Sequence, residues 1–228
     1  MSRNLAIIPA RGGSKRIPKK NIKQFCGKPI IAYSIEAALE SGLFDEVMVS
    51  TDSEEIAGIA TRYGAQVPFM RSNEASNDYA TTAEVLKEVI QKYGQIGKEF
   101  DYMCCLYPAA PFITKEHLSE GMHILKEKNA IEVRPVVKFS YPPQRCLIIK
   151  DECLIMKWEK YMKARSQDLE PVYHDAGQFY CMDIKKFMER DGIYNENIYP
   201  LILSELEVQD IDTEDDWKMA EIKYKMLR

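Results

Sequence analysis

Apolar positions along this chain of 228 residues follow two periods. Short segments rich in apolar residues at 5–8, 45–51, 101–106 and 131–137 read as strands, and the continuous run at 101–106 reads as one buried on both faces. Between them the spacing turns helical. Residues 29–40 carry Ile30, Ile31, Ile35, Ala38 and Leu39, with Pro29 at the first position and Gly42 just past the end. Further helices are expected at 53–63, in a segment ending near 93, and at 114–127, where Leu118, Met122 and Leu125 share one face. Asp52 or Ser53 is placed to cap the second helix and Thr114 the fourth. Strands alternating with helices imply right-handed crossovers and a parallel sheet, with ligands bound at the carboxyl ends of the strands.

The alternation breaks at 138–172. Tyr141-Pro142-Pro143 interrupts the chain, and 146–156 reads as a hairpin turning at Lys150 to Glu152. Trp158, Tyr161 and Met162 follow it, and a hairpin cannot bury two faces alone. The chain returns to a strand at 173–180, forms a short helix from Asp183 to about Gly192, and runs extended through Asp210 and Asp212. Thr213 and Asp216 then open the last helix as a capping box. The expected architecture is one α/β domain over 1–228, a Rossmann-like, mostly parallel sheet with 138–172 as an excursion.

Composition narrows the function classes. With 46% apolar and 29% charged residues the chain is that of a globular protein. It has no apolar run of the roughly 20 residues that cross a bilayer, nor a signal-peptide pattern, so a cytoplasmic protein without a membrane partner is expected. The six cysteines form no Cys-x-x-Cys pair and are expected as buried free thiols. His117 and His123 are expected on a helix surface.

Charge is distributed unevenly. No carboxylate precedes Glu36, whereas Arg3, Arg11, Lys15, Arg16, Lys19, Lys20, Lys23 and Lys28 all fall in that window, in a chain of net charge −4. Strand 5–8 leads directly into this cationic loop, and Gly12-Gly13 allows backbone N–H groups to converge on phosphate oxygens. The spacing is neither a P-loop nor a dinucleotide fingerprint. Nucleic acid is disfavoured as a partner because the rest of the chain is acidic and has no second basic stripe. Alternation places Asp210 and Asp212 on the same side of an extended segment, where two hard carboxylates suit Mg2+ held together with substrate phosphates. Tyr173-His174-Asp175 lacks a placed nucleophile, which argues against hydrolytic chemistry.

The stretch from Ala6 to Asn21 resembles the first motif of the cytidylyltransferases that make CMP-linked nonulosonic acids, and the likeness extends over roughly residues 5–220. Tyr173-His174-Asp175-Ala176-Gly177-Gln178-Phe179-Tyr180 resembles the sugar-facing segment of the pseudaminic and legionaminic acid branch, where sialic-acid members more often show Arg-x-Asn-Gly. The resemblance implies transfer of CMP from CTP to a nine-carbon 2-keto sugar acid. It also implies nucleotide contacts from Ala10, Arg11, Gly12, Gly13, Ser14, Lys15, Lys20, Asn21, Arg71, Ala80 and Thr82, with Lys15 and Arg11 stabilising the triphosphate charge. Asp210 and Asp212 would hold Mg2+ and share in catalysis. In the family's Leu-Gln-Pro-Thr-Ser-Pro run this chain has Tyr107 where glutamine is usual and Ala109-Ala110 where hydroxyls are usual; Tyr107 and the matching Pro108 are implied acceptor contacts, and this less polar wall suits an acceptor with methyl and acetamido groups, as in pseudaminic acid. Asp175, Gln178 and Tyr180 are implied acceptor contacts. Arg145, Arg165 and Gln167 would act across a homodimer with a shared active site. The same chemistry on legionaminic or N-acetylneuraminic acid remains open, as does a non-catalytic nucleotide- or nucleic-acid-binding module.

Overall fold

A computed structural model describes residues 2–14 and 16–227. Strand β1 (Asn4–Pro9) lies inside the sheet, and its side chains divide by the two-residue period: Ala6 and Ile8 enter one core, Leu5 and Ile7 the other. All four are fully buried, as expected of a strand covered on both faces. Two miniature strands, β2 (Gln24–Phe25) and β3 (Lys28–Pro29), then pair around Cys26 and Gly27, both at positive φ. That turn matches the twist of paired strands and draws Pro29 into the hairpin, so helix α1 (Ile31–Ser41) begins two residues later than proline at its first position implies. Gly42 ends it in the left-handed conformation.

The alternation continues through β4 (Glu46–Ser50), α2 (Glu54–Arg62), α3 (Thr82–Gln95), β5 (Tyr102–Leu106), α4 (Lys115–Glu127) and β6 (Glu132–Lys138). Ser53 caps α2 by accepting from the Ile56 amide, Thr114 caps α4, and Thr81 with Glu84 forms a capping box at α3. The excursion contains β7 (Leu147–Lys150) and β8 (Cys153–Met156), joined by Asp151 and Glu152 at positive φ. Strands β9 (Tyr173–Asp175) and β10 (Phe179–Asp183) run antiparallel beside β6, followed by α5 (Ile184–Glu189), β11 (Ile198–Ile202) and α6 (Glu214–Leu227).

The main sheet has the order β11-β6-β10-β5-β1-β4, with β9 also on β6. β4, β1 and β5 are parallel, as are β6 and β11, while β10 opposes both neighbours. This is the expected mostly parallel α/β sheet. One core packs α1 and α4 on one face; the other packs Leu86, Val89 and Tyr93 of α3 and Phe187 of α5 on the opposite face. A third cluster, absent from the expectations above, gathers Ile17, Phe25, Tyr33, Phe112, Ile211 and Trp217. It ties the N-terminal basic loop to the segment before α6.

Two expectations are corrected. Of the cysteines, Cys104, Cys105 and Cys181 are buried, but Cys26 and Cys146 are only half-buried and Cys153 is exposed, because the β7–β8 hairpin has no layer over it. His117 is not on the surface: its side chain is 13% exposed, with Nε2 3.5 Å from Glu207, whereas His123 remains open. Among the described residues no helix is long and apolar enough to cross a membrane.

Candidate functional site

At the carboxyl end of β1 the basic loop is pinned from three sides. The Ala10 amide donates to Ser50 O, the Gly12 amide to Asp52 Oδ1 at 2.8 Å, and the buried Asn21 side chain to Arg11 O at 3.0 Å. With Ser53 capping α2, Asp52 is left to hold this loop. A Cβ on Gly12 would come within 3.2 Å of Ser53 Cβ, so glycine there permits close approach to α2; a Cβ on Gly13 meets nothing within 4 Å. Neither glycine adopts a left-handed backbone.

Arg71 forms the floor. It is 8% exposed, its Nε donates to Ser50 Oγ at 3.0 Å, and one terminal nitrogen donates to Ser50 O at 2.5 Å. Burial lowers its pKa, against the opposing pull of Asp52 and Glu88. The edge of a buried guanidinium anchored on a strand end is a preorganised anion contact.

Arg11, Asn21 and Arg71 line a cleft of about 450 Å³ together with Ser14, Arg16, Lys20, Ala80, Thr82, Tyr107 and Pro108, while Ala10, Gly12 and Gly13 belong to the loop but are not among its described lining residues. Arg11, Arg16, Lys20 and Arg71 give it four cations, and no carboxylate is among its described lining residues. Positive charge gathered in a concave site above a buried guanidinium suits an anionic ligand. Lys15 lies outside the described residues. A larger hollow of about 500 Å³ between α1 and α6 mixes Lys28 and Lys115 with Glu36, Glu40, Glu116 and Glu207. Its acidic balance makes it the poorer seat for a phosphate, despite its size.

Carboxylates stand at the rim. Asp212 Oδ2 is 2.6 Å from Arg16, and its Oδ1 is 3.6 Å from Lys20, whose ammonium also donates to Ile211 O. Arg11 pairs with Asp78 at 2.9 Å, and Lys23 pairs with Glu214 while lying 4.5 Å over the Trp217 ring. The buried cluster of Ile17, Phe25, Ile211 and Trp217 brings these oppositely charged segments together from opposite ends of the chain. Asp210 is exposed and lies outside the lining of the cleft. Among the described residues no cluster of three or more metal-ligating side chains occurs.

Tyr107 and Thr82, 3.5 Å apart at their hydroxyls, separate the cleft from a second cavity of about 250 Å³ that includes Asp175 and Tyr180. Tyr180 Oη donates to Asp175 Oδ1 at 3.0 Å, and its ring meets Tyr107 edge-on at 5.5 Å. Burial, with Tyr107 and Asp175 close by, raises the Tyr180 pKa, so its hydroxyl stays a donor. Gln178 does not join them: it is 2% exposed, with its amide donating to Glu207 O and Oε1 without a partner among the described residues. The Tyr107 amide donates to its backbone carbonyl, so Gln178 supports the wall from behind. Arg145 donates to Ser166 Oγ and Arg165 pairs with Asp168; with Gln167 they lie exposed on the excursion, outside the lining of either cavity of their own chain. Sequence reasoning passed over Glu132, Arg134 and Tyr194, which line the second cavity, because an Arg and a Glu inside an apolar strand carry no motif.

The family model for cytidylyltransferases matches residues 5–200. A pseudaminic acid cytidylyltransferase of Campylobacter jejuni is 43% identical, over 98% of this chain and 97% of its own length. A CMP-N,N'-diacetyllegionaminic acid synthase of Legionella pneumophila is 37% identical, over 96% of this chain and 95% of its own. The fold matches that of a CMP:2-keto-3-deoxy-manno-octonic acid synthetase solved with CTP, with a TM-score of 0.74 over 100% of both chains at 18% identity. A cationic cleft at the strand ends of this sheet, together with similarity across nearly the whole length of its relatives, means that the chain belongs to the cytidylyltransferase family.

Proposed function

We propose that this enzyme transfers CMP from CTP to the anomeric hydroxyl of pseudaminic acid and releases pyrophosphate, a step of glycan biosynthesis that takes place in the cytoplasm. The observation that carries the reading is the cleft with four cations and no carboxylate among its described lining residues, in a chain matched over 98% of its length by a pseudaminic acid cytidylyltransferase. The cleft holds the triphosphate and the adjoining cavity receives part of the acceptor, so the hydroxyl meets the α-phosphorus near Tyr107 and Thr82.

Arg11, Lys15, Lys20 and Arg71 neutralise the triphosphate and stabilise the charge that develops as the bond to pyrophosphate breaks. Arg71 is fixed by Ser50 before substrate arrives, so little reorganisation is needed. Arg16 trades its contact with Asp212 for a phosphate oxygen. In-line displacement by the acceptor oxygen requires no covalent enzyme intermediate.

Asp212 and Asp210 would hold Mg2+. Their hard oxygens, the position of Asp212 against the basic loop and the lack of a third neighbouring ligand fit an ion that arrives with the nucleotide and keeps several waters. When bound, the ion supplies Lewis acidity and orients the phosphates. The excursion forms a homodimer interface: Ile149 is 77% and Leu154 68% exposed on its hairpin. A face of this kind takes a second copy, which brings Arg145, Arg165 and Gln167 toward the neighbouring cleft.

Incubation with CTP, Mg2+ and a panel of pseudaminic, legionaminic and N-acetylneuraminic acids, with products identified by mass, tests the reading. CMP-pseudaminic acid formed at the highest kcat/KM is the expected result. Preference for another acid overturns the acceptor assignment, and absence of any CMP-sugar overturns the activity.

A further inference from the structure

Asp210 and Asp212 stand on a stretch that belongs to no strand of the sheet, between the end of β11 at Ile202 and the start of α6 at Glu214. Such a stretch must be held from outside. At its near end the Leu203 amide donates to Val136 O, and Ser204 with Glu207 forms a capping box around a single helical turn. At its far end Ile211 is buried in the third hydrophobic cluster. Side chains from elsewhere grip the middle. Lys223 of α6 donates to Glu205 O at 3.0 Å and to Val208 O at 2.8 Å. His117 of α4 approaches the Glu207 carboxylate at 3.5 Å, and the Gln178 amide donates to Glu207 O at 2.5 Å.

Gln178 is an unfavourable residue to bury for packing alone. Its Oε1 has no partner among the described residues, and an unpaired amide oxygen in the core costs stability that a methionine of similar volume would keep. Its backbone is engaged as well, since its carbonyl accepts from the Tyr107 amide at 2.8 Å. Ala176 and Phe179 on either side of it are buried, so the link starts from a fixed point. One residue therefore joins the Tyr107 wall of the nucleotide cleft to the stretch that carries both aspartates.

We infer that Gln178, with Lys223, is a positioning residue for the transfer reaction: it fixes where the Asp210–Asp212 stretch stands relative to the Tyr107 wall. It acts through Glu207 O, three residues before Asp210, and touches neither nucleotide nor ion. The inference rests on the reading of Asp210 and Asp212 as the holders of Mg2+ and names what aims them. A small hard ion demands near-ideal ligand geometry, so a carboxylate held about 1 Å out of place loses much of its effect.

The test uses the full chain with Gln178→Met, which keeps the volume and removes the donor. Glu207 is half-buried, so water replaces the lost bond at its carbonyl. Thermal unfolding should come at or above the wild-type temperature. CTP binding measured calorimetrically in EDTA should stay within about twofold, because the cationic cleft is untouched. In contrast, kcat with Mg2+ should fall about tenfold, and the Mn2+ affinity of the CTP complex, read by water-proton relaxation, should weaken by a similar factor. Lys223→Met loosens the same stretch from the α6 side and should shift both in the same direction, which tests the role even if Gln178→Met fails to fold. Losses of stability and metal-free CTP binding in step with kcat would assign both residues to general packing and overturn the inference. Mn2+ affinity that Asp212→Asn leaves at wild-type strength defeats the ion reading, and the inference with it. Affinity lost in Asp212→Asn but kept in Gln178→Met and Lys223→Met defeats only the positioning role.

Discussion

The cleft and the excursion are both rich in arginine, yet they hold it differently. Arg71 is buried and tied twice to Ser50 at the end of a central strand, so its direction is fixed by backbone that the core has already ordered. Arg145 and Arg165 are exposed, and among the described residues their side chains bond to Ser166 and Asp168 of their own excursion. The first arrangement is complete within one chain. The second is held by the excursion alone, and Leu147, Ile149 and Leu154 beside it are exposed, the face proposed above to take a second copy.

The contrast is sharpened most by Arg71→Met. It should lower kcat/KM for CTP by about 10²–10³-fold, the range for removal of one preorganised charge-stabilising donor. It should also lower stability by about 1–3 kcal/mol through the acceptors it abandons at Ser50. Steady-state kinetics and urea unfolding measure the two, and near-normal turnover would place Arg71 among structural groups only.

The next largest effect is expected on the excursion. Ile149→Lys combined with Leu154→Lys should leave the sheet folded but convert the enzyme to a monomer in sedimentation velocity, with activity falling in step as the crossing arginines are lost. A dimer that survives both lysines would show that the hairpin is not its interface.

A smaller effect separates two neighbouring glycines. Gly12→Ala should lower stability by about 1–2 kcal/mol because the Cβ crowds Ser53, as in other overpacked sites. Gly13→Ala should leave it unchanged or slightly raised, since its Cβ enters open space. Thermal unfolding of both proteins, reversed in order, would contradict the close approach of loop and helix.

The smallest is a pH effect at Glu88, which accepts from Ser72 and so braces the segment after Arg71. Burial disfavours its ionised form, but the Lys92 ammonium and the Ser72 donors overbalance this and hold its pKa below 4.5. A lowered folded-state pKa contributes stability above the unfolded value and loses it as pH falls through the folded value. Wild type should therefore exceed Glu88→Gln in stability at neutral pH by about 1 kcal/mol or less, and the gap should close below about pH 4. A gap unchanged through that acid range would assign the difference to packing.

Much of this was legible because it is local. Strand and helix periods, the caps at Ser53, Thr114 and Thr213, and the turn at Asp151-Glu152 depend on residues within a few positions of each other. The basic loop stood out for the same reason, as a run of charge. Gln178 was misplaced because the kink between β9 and β10 turns it inward, and His117 because its helix face is covered by the distant Glu207. The network of Glu132 and Arg134 had no signal at all, since an ion pair two residues apart on a strand reads as ordinary alternation.

By itself, then, the amino-acid sequence determined the alternation of the main strands and helices, though not β2, β3 or β11, together with the mostly parallel sheet and the segments that would bear charge. Only the tertiary structure decided which charges meet. Asp212 faces Arg16 and Lys20 because Ile17, Phe25, Ile211 and Trp217 bury one another in a small core of their own, and that choice of partner depends on packing between segments nearly two hundred residues apart.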